Sequence, residues 1–137
     1  MHTERSVEAG SPLYEGNDMA EHNELGKWGE DVAVAYLQDK GYAIVERDWH
    51  SGHRDLDIIA LNEDRDTIVF VEVKTRRNRM FTDPVEAVDY QKIRNLQRAA
   101  NHYIKYRRID LDVRFDIISV VGQFNMEPEV DHIEDAF

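Results

Sequence analysis

The sequence predicts an α/β protein: a small mixed sheet with helices on its faces, in the order helix, strand, strand, strand, helix, strand. Three observations carry this. Two long segments place apolar residues at three- and four-residue spacing. Three short segments rich in β-branched and aromatic residues follow one another across polar turns, and a fourth follows the second helix. One of these segments is apolar almost without interruption, which marks a central strand covered on both faces.

The elements follow in order. Residues 1–20 mix Gly, Ser, Pro and acids without periodicity and are expected to form a disordered tail. Organised sequence begins near Met19, a candidate alternative start. In "NELGKWGEDVAVAYLQDKGY", Leu25, Trp28, Val32 and Tyr36 form a helical stripe, with Asn23 suited to the N-cap and Gly41 to the position after the last turn. Gly26 and Gly29 each cost a helix about 1 kcal/mol relative to Ala, so they point to close approach of another backbone. "YAIVERDW", "DLDIIALN" and "TIVFVEVKTR" read as strands joined by the turns "HSGH" and "NEDRD". Asp83 before Pro84 suits the start of a short helix, and Asp89 suits the cap of a longer one, "YQKIRNLQRAANHYIKYRR", with Ile93, Leu96, Ala100, Tyr103 and Ile104 as its apolar stripe. "DVRFDIISVVG" is the last strand, ended by Gly122. Residues 21–122 then form one domain, and the acidic residues 123–137 read as a C-terminal tail.

Composition narrows the function classes. The chain of 137 residues has no cysteine, which excludes disulfides and thiolate metal sites and suits a reducing, cytoplasmic setting. No apolar run approaches a membrane span or a signal-peptide core, so no membrane partner is expected. The formal net charge is −11, yet residues 73–108 carry ten basic and three acidic side chains. A polyanion responds to this local field more than to the total.

The chemistry lies in "DLDIIALNEDRDTIVFVEVKTRR". Asp55 and Asp57 share one face of a strand, and Glu72 and Lys74 share one face of the next, amid Phe70, Val71 and Val73. Hairpin strands lie about 4.8 Å apart, so Asp57, Glu72 and Lys74 converge if those faces coincide. Buried charge without a partner is very costly. Mg²⁺ or Mn²⁺, a hard cation taking oxygen ligands, would supply that partner through Asp57, Glu72 and the Val73 carbonyl. Glu30 would add a carboxylate if the first helix packs over the sheet. Lys74 is placed to assist a reacting phosphate. Arg76 and Arg77 follow directly, and Lys92, Arg94 and Arg98 lie on the long helix, where phosphate contact is expected.

The pattern of Asp57 followed by Glu72-Val73-Lys74 resembles the PD-(D/E)XK signature of restriction-endonuclease-like nucleases. More narrowly, "GKWGEDVAVAYLQDKGY", "DLDIIA", "FVEVKTR", "VDYQKIRNLQRAANHYI" and "RFDIISV" resemble the YraN-like family of bacterial proteins, from about Asn23 to Val121. That family is read as related to Holliday-junction resolvases. The resemblance implies a restriction-endonuclease-like core, Mg²⁺-assisted hydrolysis of DNA, branched DNA included, and, as in many resolvase-like enzymes, room for a homodimer. It assigns Glu30 to the first-helix carboxylate, Asp57 and Glu72 to metal binding, Lys74 to the catalytic lysine, and Gln91 and Lys92 to the helix opening. One departure stands out: Arg54-Asp55 replaces the family's usual Gly-Glu.

Two other classes remain open: a non-catalytic nucleic-acid-binding module on the same fold, and a protein-interaction module whose basic strip meets an acidic partner. His50 and His53 frame a turn and read as exposed, since a zinc site needs more ligands. Trp28 reads as core; Trp49 is suited either to core or to base stacking. Asp116 either pairs with an arginine or faces the same cleft.

Overall fold

The computed structural model describes residues 14–78, 89–123 and 125–137, with side chains from residue 23 onward. The segment with Asp83 and Pro84, and residues 1–13 of the expected tail, lie outside the described residues. The elements are α1 (Tyr14–Asp39), β1 (Ala43–Ser51), β2 (Arg54–Leu61), β3 (Thr67–Arg76), α2 (Tyr90–Arg107), β4 (Asp112–Val121) and β5 (Glu129–Ile133). They build one sheet in the order β1-β2-β3-β4-β5. β1, β2 and β3 form an antiparallel meander, α2 crosses over so that β4 runs parallel to β3, and β5 returns antiparallel to β4.

The apolar run of β3 serves two cores. Val69 and Val71 face α1 with Ala33, Leu37, Ile58 and Ile118, while Ile68 and Phe70 face α2 with Leu96, Ala99 and Tyr103. This is the covered central strand that the sequence predicts. Asp89 caps α2 as expected, its Oδ1 accepting from the Lys92 N–H at 2.8 Å. Gly41, at φ 93°, ends α1, where the Tyr42 N–H reaches back to the Leu37 carbonyl at 2.9 Å. Among the described residues, no helix is long and apolar enough to cross a membrane.

Three expectations change. α1 already runs from Tyr14, so Asn23 lies inside it and is no cap. Its innermost line is Leu25, Gly29, Ala33 and Leu37, while Trp28, Val32 and Tyr36 flank it, half-buried. Small residues sit innermost because the helix lies close against the sheet. The segment 123–137 is no loose tail: β5 pairs with β4, the Ala136 N–H binds the Phe115 carbonyl at 2.7 Å, and Phe137 stacks on Phe115.

A buried charge holds that last segment. Asp116 is fully buried in β4 and takes Nε and Nη2 of Arg114 at 2.9 and 2.8 Å, Nε2 of His132 at 2.7 Å and the Asp135 N–H at 3.0 Å. Burial alone would raise its carboxyl, but the hydrogen bonds from His132, Arg114 and Asp135 outweigh it and hold it below its usual value. A depressed carboxyl contributes stability above its unfolded value of about 3.9 and loses it as pH falls through the lower folded value. Asp116→Asn removes the buried carboxylate that Arg114 and His132 share, leaving the half-buried guanidinium only the Glu134 carboxylate at 3.6 Å, and should cost about 3 kcal/mol. Chemical denaturation at neutral pH measures that cost. Acid titration should find the variant's remaining stability less sensitive below pH 4, and equal acid sensitivity would count against this latch.

The two helix glycines give a second, paired prediction. A Cβ on Gly29 would stand 2.0 Å from Thr75 Oγ1, whereas one on Gly26 would meet nothing within 4 Å. Gly26→Ala should therefore stabilise by about 1 kcal/mol, and Gly29→Ala should destabilise despite the same gain in helix propensity. Thermal melts of the two variants side by side decide it.

Candidate active site

The site begins where a ladder ends. β2 pairs with β3 from Leu61↔Ile68 to Ile58↔Val71 and no further, while β3 continues along β4 to Arg76↔Val121. The two strands fork at Asp57 and Glu72. At the fork the Asp57 side chain replaces a main-chain carbonyl: its Oδ2 accepts from the Val73 N–H at 3.0 Å. The faces also switch here. Leu56 packs with Ile59 on the α2 side, while Ile58 and Ala60 pack on the α1 side. Strict alternation would set Leu56 with Ile58, so β2 twists at Asp57 and turns that carboxylate into the fork.

Glu72 sits beside it, only 5% exposed. Its Oε2 lies 3.5 Å from Nζ of Lys74 and 3.3 Å from Nζ of Lys92. Lys92 thus reaches inward from the first turn of α2 onto a site carboxylate. Burial first, and the Glu72 charge second, push the Asp57 carboxyl up to about 8; the Val73 N–H offsets this only in part.

Two further carboxylates meet Asp57 from the other side. Oxygens of Glu30, Asp48 and Asp57 all lie within 4.8 Å of one another. Glu30 is carried there by α1, whose Gly29 permits contact with Thr75 of β3. Burial, then the adjacent Asp48, raise the Glu30 carboxyl, and Arg47 opposes them through a contact of 3.2 Å. Arg47 also holds Asp31 at 2.7 Å. Lys27, Glu30, Asp31, Arg47 and Asp48 line an open cleft of ≈ 650 Å³. The donors of Glu30, Asp48 and Asp57 are all oxygen, the ligand type that hard divalent cations take.

The structure brings Asp57, Glu72, Lys74 and Glu30 together, as the sequence predicts. Val73 joins them through its N–H. In a strand the carbonyl of the same residue points toward the same neighbour, so it too faces the fork. Asp48 is the residue that sequence reasoning missed. The turn around Gly52 and His53 pairs Ser51 with Arg54, and counting back from there sets Asp48 opposite Asp57. Asp48 drops out of the ladder and adopts φ 52°, a left-handed conformation that Asp tolerates better than most residues.

The remaining candidates spread outward. Arg76 ends β3, half-buried, and Arg77 is exposed just beyond. Gln91 donates to Asn95 at 3.2 Å on the surface, and Arg94 and Arg98 are exposed along α2. Asp55 stays away from the site and pairs with His50 at 2.6 Å, and His53 is exposed. Trp49 belongs to the core, 5.1 Å from the Tyr103 ring, and Trp28 packs against the α1 core. Asp116 serves the latch, not this cleft.

A raised carboxyl gives a signed prediction for the protein freed of metal. With a folded value near 8, Asp57 contributes stability that is fully present below about pH 4 and is lost as pH rises through 8. Asp57→Asn keeps an acceptor for the Val73 N–H and never ionises. In EDTA the variant should melt several degrees above the parent protein at pH 9 and nearly with it at pH 5. Parallel pH profiles for the two proteins would show that Asp57 is not held neutral.

Relatives are known for most of this chain. The model of the Uncharacterised protein family UPF0102 matches residues 29–120, which span the helix carboxylate, the fork and α2. A UPF0102 protein of Bacteroides thetaiotaomicron is 55% identical over 87% of this chain and 96% of its own length. Another from Phocaeicola vulgatus is 49% identical over 87% and 96%, and one from Flavobacterium psychrophilum 46% over 87% and 98%. The chain belongs to the UPF0102 family, the YraN-like family that its sequence resembles.

Proposed function

We propose that this protein is a metal-dependent phosphodiesterase with a restriction-endonuclease-like core, cutting DNA at the fork of β2 and β3. One observation carries the reading. The half-buried Asp57 lies against the buried Glu72, with Lys74 two residues along the same strand as Glu72 and Glu30 delivered from α1. Crowding carboxyl groups into a place that withholds water from them costs the fold stability, and a divalent cation is what such a set of oxygens accommodates.

Asp57, Glu72, Glu30 and the Val73 carbonyl would hold Mg²⁺ or Mn²⁺, with Asp48 at its edge. The ion would lower the pKa of a bound water and polarise the scissile phosphate. The chain's own groups do the rest. Asp57 must give up the proton that burial has raised, so metal affinity should climb with pH toward 8. Glu72 keeps the Lys74 ammonium at the fork, 3.5 Å away, where it can meet charge growing on the phosphate. Arg76 and Arg77 extend positive charge from the end of β3, and α2 adds a further basic surface.

α2 also favours a second reading. From Tyr90 to Arg107 it carries Lys92, Arg94, Arg98, Lys105 and Arg107 and no acidic residue, in a chain of net charge −11. Such a face would bind nucleic acid whether or not the fork still cuts.

The test compares single-stranded, duplex, flapped and four-way DNA incubated with the protein in Mg²⁺, Mn²⁺ or EDTA. Mg²⁺-dependent cutting is expected, with Lys74→Ala reducing the rate by about 10²-fold or more. Cutting that survives Lys74→Ala would overturn the assignment of this site. Retarded bands without cutting under any metal would leave the binding module.

A further inference from the structure

We infer that the outward face of α2 carries an unpaired DNA strand and that Tyr90 is the platform on which one of its bases stacks beside the site. The inference rests on the nucleic-acid reading above and adds a substrate preference to it.

Tyr90 is the first residue of α2 and is 72% exposed, the most of any large apolar or aromatic side chain among the described residues. It is not loosely held. Asp89 caps the helix directly before it, and the Arg94 guanidinium lies 5.6 Å from its ring centroid, one turn on. Arg94 thus supports the ring and sets a positive charge beside it. Lys92, two residues away, reaches Glu72 from the same turn, which fixes Tyr90 at the end of α2 nearest the fork. Tyr90, Arg94, Arg98, Asn101 and Lys105 recur at helical spacing, and all are exposed. They form one continuous outward strip: an aromatic ring at the site end, then three cations and an amide leading away from it.

Charge alone would suit any polyanion. The ring narrows the choice. In a duplex the faces of the bases are covered by their neighbours, so an exposed tyrosine face finds no partner there. A single strand offers its π-faces, and base–aromatic stacking is indifferent to sequence. Flaps, junction arms that have opened, and free single strands all present such nucleotides. A Tyr–Arg pair that merely steadies the helix end would affect stability and leave strand preference untouched.

The test is fluorescence anisotropy with labelled oligo-dT and with a labelled duplex, using the full chain. Cleavage is suppressed in two ways: the parent protein in EDTA, and the Lys74→Ala protein in Mg²⁺. Tyr90→Ala should weaken oligo-dT binding about tenfold or more and leave duplex binding nearly unchanged, while Tyr90→Phe, which keeps the π-face, should bind as the parent does. Tyr106→Ala is the control. Tyr106 is also exposed and lies beside an arginine, but about 24 Å further along the helix axis. Its loss should cost clearly less. Equal affinity of Tyr90→Ala and parent for oligo-dT, or an equal loss on both DNAs, would overturn the platform while leaving the nucleic-acid reading standing. Binding to neither DNA under both conditions would remove that reading and this inference with it.

Discussion

A single main-chain donor organises the site. β3 is central and must find partners for its polar backbone on both edges. β4 serves one edge along its whole length, but β2 leaves the other at Ile58↔Val71. A buried N–H cannot be left unpaired without a cost of about 1–3 kcal/mol. Asp57 meets the need at Val73 with a side chain instead of a carbonyl. That substitution places a carboxylate inside the sheet, next to Glu72, where a regular ladder would have placed only amides. The cost of the carboxyl's burial appears in its pKa, and its reach toward Glu30 and Asp48 follows from the same position.

The helices are set by the same fork. α1 needs to come within contact of β3 for Glu30 to reach Asp57, and a side chain at Gly29 would forbid it. α2 starts at a capped Asp89, which brings Lys92 over Glu72 in its first turn. Each helix therefore contributes one charged residue to the fork and buries its apolar stripe on its own face of the sheet. At the opposite edge Asp116, Arg114 and His132 pin β5 against β4. Among the described residues, charge is withdrawn from water in two places. Around Asp116 it is fully paired within the chain; around Asp57 it is not, and that imbalance is the physical difference between a latch and a candidate site.

Much of this was legible in the sequence, and what was not has identifiable causes. The strands, the central position of β3, the cap at Asp89 and the meeting of Asp57, Glu72, Lys74 and Glu30 follow from periodicity, turn chemistry and resemblance. Asp48 was hidden because its position depends on register, and register depends on which residues form the turn before Arg54. β5 was hidden because five residues, "EVDHI", look like solvated acid, and their partner Asp116 lies in another strand. Lys92 read as a phosphate contact because a helix pattern shows which side a residue takes but not what waits there. Trp49 and Asp55 show the same limit from the other side: one was suited to core or to bases and packs on Tyr103, the other had acid spacing and pairs with His50.

On the proposed function, the distribution of charge sets an order of events. The carboxylates of Glu30, Asp48 and Glu72 would together repel a phosphate, and Lys74 and Lys92 are already engaged with Glu72. A DNA backbone could be held along α2 by Arg94, Arg98 and Lys105 without approaching the fork. Only a cation bound among the carboxylates would reverse the local field and let the scissile phosphate descend toward Lys74. Metal and substrate would then favour each other's binding, because each relieves a repulsion that the other would face alone. On that proposal, a fork beside a basic helix would separate holding from cutting, with occupancy of the carboxylates deciding between them.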